Sequence, residues 1–255
     1  RMAIWSEEQA AAYFESGGTV EPAATPSPPS PLGRKPRVAL MHGTAANKDI
    51  LKIQLAPLLT RLSEAAEIHF IEGGQTCAED NPQVKPMRQF FGKRHVLKEY
   101  CTFGVDDRGW RIYPGLQDAL AYVQSQLAAL PGGGADALIG FSQGANLISC
   151  IVANAERTST PLRCAVLMSP NLPGWARQCP ADFAEPLSTP VIVAWSRDDK
   201  VANGGPPEVA RLWAPDCAKV HEHTGPGHRP LPANPAARDA FITEVADLLA
   251  KCCPQ

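Results

Sequence analysis

The chain has 255 residues, 44% of them hydrophobic and 20% charged, with a formal net charge of -2 and a pI near 6.3. This length and composition are typical of one globular domain with a sizeable core. Because there is no basic excess, the sequence argues against a nucleic-acid partner. No apolar run reaches the roughly 18 residues that a membrane span requires, so we expect a soluble protein without membrane insertion.

The N-terminal part is predicted to be an arm, residues 1–35, that precedes a hydrolase-like domain over 36–255. Six prolines within residues 22–36 exclude regular hydrogen-bonded structure and favour an extended linker. Before it, Ser6 and Gln9 have the spacing of a capping box, which predicts a short helix over 5–15. Such an arm could hold a protein partner.

The cysteines and the first residues bear on location. None of the eight cysteines forms a C-x-x-C pair or a spacing typical of zinc, so we predict no metal. The first residues lack the basic-then-apolar layout of a secretory signal. A cytoplasmic protein is expected, with an organelle as the alternative if a targeting segment has been removed.

After Pro36, short apolar runs alternate with helical stretches, the pattern of a mostly parallel sheet with helices on both faces. Near-continuous apolar runs indicate strands buried on both sides. The exception is residues 73–113, whose patchy periodicity predicts a lid or a pocket insertion. The predicted strands are 37–41, 67–71, 136–140, 164–169, 190–195 and 218–222, and the predicted helices are 48–62, 114–130, 143–156 and 235–251.

The strongest chemical signal is a G-x-S-x-G motif, Gly140 to Gly144, between a predicted strand and a predicted helix. This order is typical of the nucleophile elbow of α/β-hydrolases, in which a sharp turn exposes the serine hydroxyl above the sheet. Ser142 is therefore the candidate nucleophile. An ordinary serine in a glycine-lined turn is the alternative.

A serine hydroxyl needs a base, and in this fold an acid lies between the two along the chain. Among six histidines, His228 is the best base, because it follows the last predicted strand in a Gly- and Pro-rich loop. The acid is predicted to be Asp199 rather than Asp198, since its spacing from Ser196 resembles the G-x-x-D-x-x-V loop of many α/β-hydrolases.

An oxyanion hole is predicted from the amides of Thr44 and Gln143, because Thr44 follows His42-Gly43 after the first strong strand. His42 is expected to brace this loop and is counted, with Gly43, among the residues that border the pocket. Four aromatic residues of the insertion could line an apolar acyl pocket, with plain packing as the alternative. They are Phe90, Phe91, Phe103 and Trp110.

These segments resemble the FSH family of serine hydrolases over about residues 36–250. The resemblance implies an α/β-hydrolase fold of about six strands, a triad at Ser142, Asp199 and His228, and no cofactor. The segments that carry it are PRVALMHGTAANKDILKIQL, IYPGLQDALAYV, ALIGFSQGANL, SRDDKV and GPGHRPLP.

We therefore predict a serine esterase or thioesterase that hydrolyses a small-molecule ester or thioester through an acyl-serine intermediate. Transfer of the acyl group to an acceptor other than water is a rival within the enzymes. A hydrolase-fold subunit that acts as an interaction or scaffold module is the alternative from another class.

Overall fold

The computed structural model describes residues 31–202 and 204–254. The predicted helix over 5–15, and the N-terminal arm up to residue 30 as a partner site, lie outside the described residues. Across the described part of the chain, no helix is both long enough and apolar enough to cross a membrane.

The described residues contain a six-stranded sheet in which every neighbouring pair of strands is parallel. The strands lie side by side in the order Ala218–His223, Val191–Ser196, Cys164–Met168, Ala137–Phe141, Arg37–Met41 and Glu67–Ile71. The predicted fold class is therefore confirmed, and each predicted strand lies within one or two residues of an observed one. The six strands are β1 (Arg37–Met41), β2 (Glu67–Ile71), β7 (Ala137–Phe141), β8 (Cys164–Met168), β9 (Val191–Ser196) and β10 (Ala218–His223).

Burial differs between the inner and the edge strands. Every residue of β1, β7, β8 and β9 is buried, whereas β2 and β10 expose part of their length. Alternate residues of β1 enter opposite faces, with Ala39 and Met41 in one core cluster and Val38 and Leu40 in the other. Burial on both faces thus holds for the inner strands and fails at the two edges.

Two predicted helices differ in their bounds. The single helix expected over 48–62 is two helices, because Pro57 has no N–H to continue the hydrogen-bond ladder past Leu55. The helix expected from residue 114 begins at Leu116, so Pro114 lies before it. The helices that cover the sheet are α1 (Lys48–Gln54), α2 (Ala56–Leu62), α4 (Leu116–Ala128), α5 (Gln143–Arg157), α6 (Gly205–Ala210) and α7 (Pro235–Cys252), with a 3-10 helix at Gly174–Gln178.

The insertion at 73–113 contains four two-residue strands and one helix. Its two antiparallel strand pairs are β3 with β4 and β5 with β6. Its helix α3 was not predicted, because the periodicity of this stretch is patchy and includes Pro86. Pro86 lies in the first turn of α3, where a backbone N–H would have no partner within the helix, so its absence breaks no hydrogen bond. The elements are β3 (Gln75–Thr76), α3 (Val84–Phe91), β4 (Lys98–Glu99), β5 (Gly104–Val105) and β6 (Arg111–Ile112).

The last residues of the predicted arm pack on the domain. The Leu32 amide donates to the Pro254 carbonyl at 2.8 Å, and the Arg34 guanidinium donates twice to Asp136 at 2.7 and 2.9 Å. Burial opposes ionisation of Asp136, but the hydrogen bonds from Arg34 and the Arg37 amide outweigh it and lower the pKa of Asp136. This carboxylate therefore anchors the chain where it enters β1.

Candidate active site

Ser142 lies in a strained turn between β7 and α5. Its φ of 53° and ψ of -115° fall outside the regions that side-chain-bearing residues favour, and it is only 8% exposed. The conformation is held by the Ser142 amide, which donates to the Met168 carbonyl of β8 at 2.9 Å. Backbone strain of this kind is typical of nucleophile elbows, where it presents the hydroxyl at the mouth of the sheet.

The glycines of the motif are required by close packing. A Cβ on Gly144 would lie 2.5 Å from the Met41 carbonyl oxygen, and one on Gly140 would lie 2.6 Å from the Ala145 amide nitrogen. The Gly144 amide also donates to the His42 carbonyl at 3.1 Å. Because Gly144 has no side chain, the start of α5 can approach the end of β1, and because Gly140 has none, α5 can fold back closely on β7.

His228 and Asp199 form a hydrogen-bonded pair. The distance between His228 Nδ1 and Asp199 Oδ2 is 2.7 Å, and the Asp199 carboxylate is fully buried. With Nδ1–H donating to the carboxylate, the neutral imidazole presents its lone pair at Nε2. Nε2 is buried and has no hydrogen-bond partner among the described residues. It is therefore available to accept a proton.

The surroundings of Asp199 keep it ionised. Its other oxygen, Oδ1, accepts from the amides of Val201 at 2.9 Å and Ala202 at 3.1 Å. Burial works against the charged form, but these amides and the His228 hydrogen bond outweigh it and lower the pKa of Asp199. A permanent negative charge beside Nδ1 stabilises the imidazolium that forms when Nε2 is protonated.

The neighbouring Asp198 has a different environment. Its Oδ2 accepts from the Gly225 amide at 2.8 Å, and it makes no contact with His228 in the described hydrogen bonds. Ser196 supports the same turn, because its hydroxyl donates to the Gly225 carbonyl at 2.6 Å. Asp198 and Ser196 thus join the loop after β9 to the loop that carries His228.

Two backbone amides near the serine make no hydrogen bond within the described part of the chain. Thr44 and Ser142 line the same cavity, and Gln143 is the first residue of α5. Neither the Thr44 amide nor the Gln143 amide donates a hydrogen bond to another described residue. Free amides at the N-terminus of a helix and in the facing loop suit an oxyanion.

His42 fixes the orientation of the loop that carries Thr44. Its Nε2 accepts from the Gly73 amide at 2.9 Å, and its Nδ1 lies 2.7 Å from the Gly43 carbonyl oxygen. Burial lowers the pKa of His42 to about 4, so the ring is neutral and Nδ1 carries the proton. In a trans peptide the C=O and N–H point in opposite directions. Holding the Gly43 carbonyl therefore directs the Thr44 N–H the other way.

Tyr100 and Gln143 connect the two candidate oxyanion amides. The Gln143 side chain accepts from the Tyr100 amide at 2.8 Å and donates to the Cys101 carbonyl at 2.7 Å. The Tyr100 hydroxyl accepts from the His42 amide at 3.1 Å and donates to the Ile71 carbonyl at 2.7 Å. A single buried network thus ties the elbow, the insertion and the oxyanion loop together.

A cavity of about 460 Å³ opens above Ser142 and His228. Residues of the insertion, 73–113, supply nearly half of its lining. Gly43, Phe90, Phe91 and Phe103 are among the lining residues, with Phe90 82% exposed at the rim. The insertion also adds Pro82, Gln83, Pro86, Met87, Arg111 and Tyr113.

Two predicted pocket residues lie elsewhere in the described structure. His42 is fully buried behind the loop, where its ring stacks on Tyr100 with centroids 4.8 Å apart. Trp110 packs beneath the Arg177 guanidinium, 4.4 Å from the ring centroid, and does not line the described cavity. Alternation along the strand explains the second difference, because Arg111 and Tyr113 face the cavity and Trp110 does not.

Several site residues were not predicted. Asn146 donates to the Tyr113 hydroxyl at 2.7 Å and to Asn171 Oδ1 at 3.1 Å, which supports the cavity wall from α5. Tyr113 belongs to a segment quoted for the family resemblance, so a signal existed for it. Asn171 lies in the loop after β8 and Arg111 is the first residue of the short strand β6, and no motif marks either of them. Among the described residues, no group of three or more His, Cys, Asp and Glu side chains could hold a metal ion.

The sequence of the chain is similar to those of proteins named as esterases. Esterase GA18864 of Drosophila pseudoobscura pseudoobscura is 28% identical over 225 residues, which cover 86% of this chain and 73% of the relative. Esterase FPY3 of Fusarium mangiferae is 26% identical over 127 residues, which cover 49% of this chain and 52% of that protein. This chain therefore spans about half the length of the fungal relative.

Solved structures agree on the fold. Zea mays acyl-protein thioesterase 2 has a TM-score of 0.56 at 17% identity, with 86% of this chain and 96% of that chain covered. Esterase PE8 has a TM-score of 0.54 at 20% identity, with 87% and 96% covered. The family model described as Serine hydrolase (FSH1) matches residues 32–234. The chain accordingly belongs to the FSH1 family of serine hydrolases.

Proposed function

We propose that this protein hydrolyses carboxylic esters or thioesters with Ser142 as nucleophile, His228 as general base and Asp199 as the residue that orients the histidine. The observation that carries the proposal is the His228–Asp199 hydrogen bond of 2.7 Å. It leaves Nε2 buried and without a hydrogen-bond partner among the described residues, at the cavity that Ser142 lines. The esterase names of the relatives support the same reaction class.

In the first half-reaction, the Ser142 Oγ attacks the carbonyl carbon of the substrate while its proton passes to His228 Nε2. The carbonyl oxygen becomes an oxyanion, for which the amides of Thr44 and Gln143 are the proposed donors. The intermediate collapses when the bond to the alcohol or thiol breaks. That leaving group takes the proton from His228, and the acyl group stays on Ser142.

In the second half-reaction, water replaces the leaving group. His228 Nε2 removes a proton from water as its oxygen attacks the acyl carbon, and the same amides hold the second oxyanion. Collapse of this intermediate releases the carboxylic acid and returns the proton to Ser142 Oγ. Asp199 stabilises the imidazolium in both halves, and no step requires a metal or an organic cofactor.

The proposed substrate-binding surface is the cavity wall formed by the insertion, where Met87, Phe91 and Phe103 provide apolar surface. We further propose a cytoplasmic location, because all eight cysteines are free thiols, as is usual in a reducing compartment. The proposal covers both oxygen and sulfur leaving groups. Turnover of matched ester and thioester substrates with the same acyl group would show which leaving group the protein prefers.

The test is turnover of 4-nitrophenyl butyrate and 4-nitrophenyl octanoate by the wild-type chain and by Ser142→Ala and Ser149→Ala. Ser149 lies on the same helix, two turns from the elbow, and its hydroxyl donates to the Ala145 carbonyl at 3.0 Å. The proposal expects turnover in wild type and Ser149→Ala and none above background in Ser142→Ala. Equal turnover by all three would refute it, and a folded wild type without turnover would favour the scaffold alternative.

A further inference from the structure

Arg111 is a half-buried cation in the wall of the cavity above Ser142. Its guanidinium carbon lies 3.9 Å from the centroid of the Phe103 ring, the distance of a stacked pair. Stacking occupies the flat face of the guanidinium and leaves its five N–H donors at the edge. Within the described part of the chain, these donors make no hydrogen bond or ion pair.

A second arginine, which also stacks on an aromatic ring, has an acidic partner that Arg111 lacks among the described residues. Arg177 also stacks on an aromatic ring, that of Trp110, but its Nη1 donates to Asp106 Oδ2 at 3.0 Å. Arg111 has the same stacking arrangement and lacks the carboxylate. Its donors point to a partner that the described chain does not supply.

The charges of the cavity agree with this difference. The charged side chains that line it are Arg111 and the exposed Arg229, and no Asp or Glu stands among its described lining residues. Asp199 does not line the described cavity, because its carboxylate is fully buried against His228 and hydrogen-bonded to it. A pocket whose charged lining residues, among those described, are all cations attracts anions, and its apolar walls concentrate the electric field.

We propose that the cavity accepts an ester or thioester that carries a carboxylate away from the scissile bond, and that Arg111 binds this carboxylate through the edge of its guanidinium. The assignment rests on the hydrolase function proposed above. A guanidinium fork matches a carboxylate in two parallel hydrogen bonds, whereas a point charge does not. Arg111 is thus a specificity residue, and Phe103 holds its plane in place.

The test compares isosteric substrate pairs that differ only in charge. For the acyl side the pair is the mono-4-nitrophenyl ester of adipic acid and, as its neutral counterpart, the 4-nitrophenyl ester of adipic acid monoamide. For the alcohol side it is 4-carboxyphenyl butyrate and 4-carbamoylphenyl butyrate. The quantity is the ratio of kcat/KM for the charged ester to that for its neutral partner. It is measured in wild type, Arg111→Gln, Arg111→Lys and Arg108→Gln.

Arg108 is an exposed arginine between β5 and β6, so its substitution controls for the lost charge. We expect a ratio above one in wild type and Arg108→Gln for at least one pair. In Arg111→Gln that ratio falls about 10- to 100-fold, as expected for losing a charged hydrogen-bonded partner. Arg111→Lys falls between the two, because it keeps the charge and loses the fork, and it replaces Arg111→Gln if that variant does not fold.

Ratios that are unchanged by both Arg111 substitutions, in both pairs, would overturn the inference. Failure of the proposed function is separate: it is the absence of Ser142-dependent turnover with every ester, charged or neutral. Turnover of all four esters that depends on Ser142 but is indifferent to charge keeps the hydrolase function and removes the role of Arg111.

Discussion

The ring of Tyr100 stacks on the buried imidazole of His42 with centroids 4.8 Å apart, and its hydroxyl accepts a hydrogen bond from the His42 amide. The same hydroxyl donates to the Ile71 carbonyl at 2.7 Å. This pair joins the insertion to the end of β1, next to the loop that carries Thr44. The predicted position of the oxyanion amide therefore depends on Tyr100, which is 58 positions away from His42 in the chain.

Tyr100→Phe should destabilise the protein and lower its activity. The substitution keeps the ring but leaves the buried His42 amide and Ile71 carbonyl without their partner, which costs about 1–3 kcal/mol in the free energy of unfolding. Denaturant unfolding and kcat measure the two effects. Tyr122→Phe is the control, since Tyr122 is 37% exposed, and its unfolding free energy should stay within about 0.5 kcal/mol of wild type.

His42 should make stability fall with acid. Burial lowers the pKa of His42 to about 4 in the folded state, whereas an unfolded histidine titrates near 6.5. Between these values only the unfolded chain binds the proton, so the free energy of unfolding falls as pH drops from 6.5 towards 4. The loss from this one group is about 3 kcal/mol.

Unfolding free energies at pH 7 and pH 4 test this dependence in wild type, His42→Gln and His95→Gln. His95 is a half-buried histidine of the insertion, outside the oxyanion loop. We expect the loss between the two pH values to be about 3 kcal/mol smaller in His42→Gln than in the other two proteins. Identical losses in all three would show that His42 does not titrate in this way.

The adjacent aspartates Asp198 and Asp199 provide a matched pair. Asp199→Asn removes the negative charge and the acceptor that hold the His228 tautomer, so kcat should fall by roughly 10⁴-fold. Asp198→Asn keeps an oxygen that can accept from the Gly225 amide, and kcat should change by no more than about threefold. Comparable losses in the two variants would contradict the assignment of the acid.

Gly144→Ala should distort the elbow. The new Cβ would lie 2.5 Å from the Met41 carbonyl oxygen, so α5 or β1 has to move. Overpacking of this kind costs about 1–3 kcal/mol, and kcat should fall with it because the Gln143 amide shifts. Gly104→Ala is the control, since its Cβ meets Ile112 at an ordinary 3.6 Å. Thermal unfolding that ranks the two variants in the opposite order would contradict the packing argument.

The parts of the fold that were predictable share a physical cause. The inner strands are buried on both faces, so their apolar runs are visible in the sequence, and the strand–turn–helix order around Ser142 follows from local geometry. The order of serine, acid and histidine along the chain then follows from the topology of the sheet. These features need no knowledge of distant contacts.

The remaining features depend on contacts between distant segments. The side chain of Gln143 bonds to the backbone at Tyr100 and Cys101, 43 and 42 positions away, and no local pattern encodes that choice. Trp110 and Arg111 are neighbours that face opposite ways, so the composition of the insertion could not tell which one enters the cavity. His42 was expected to brace its loop. Its complete burial could not be predicted, because it depends on stacking against the ring of Tyr100, which is distant in the chain.

The most direct test of the central claim is covalent labelling of the nucleophile. Wild-type protein and Ser142→Ala are treated with a fluorophosphonate, and the adduct is located by intact-mass and peptide mass spectrometry. The account predicts one adduct per wild-type chain, on the peptide that contains Ser142, and no adduct on the folded variant. An adduct on another residue, or equal labelling of both proteins, would contradict the claim that Ser142 is the nucleophile.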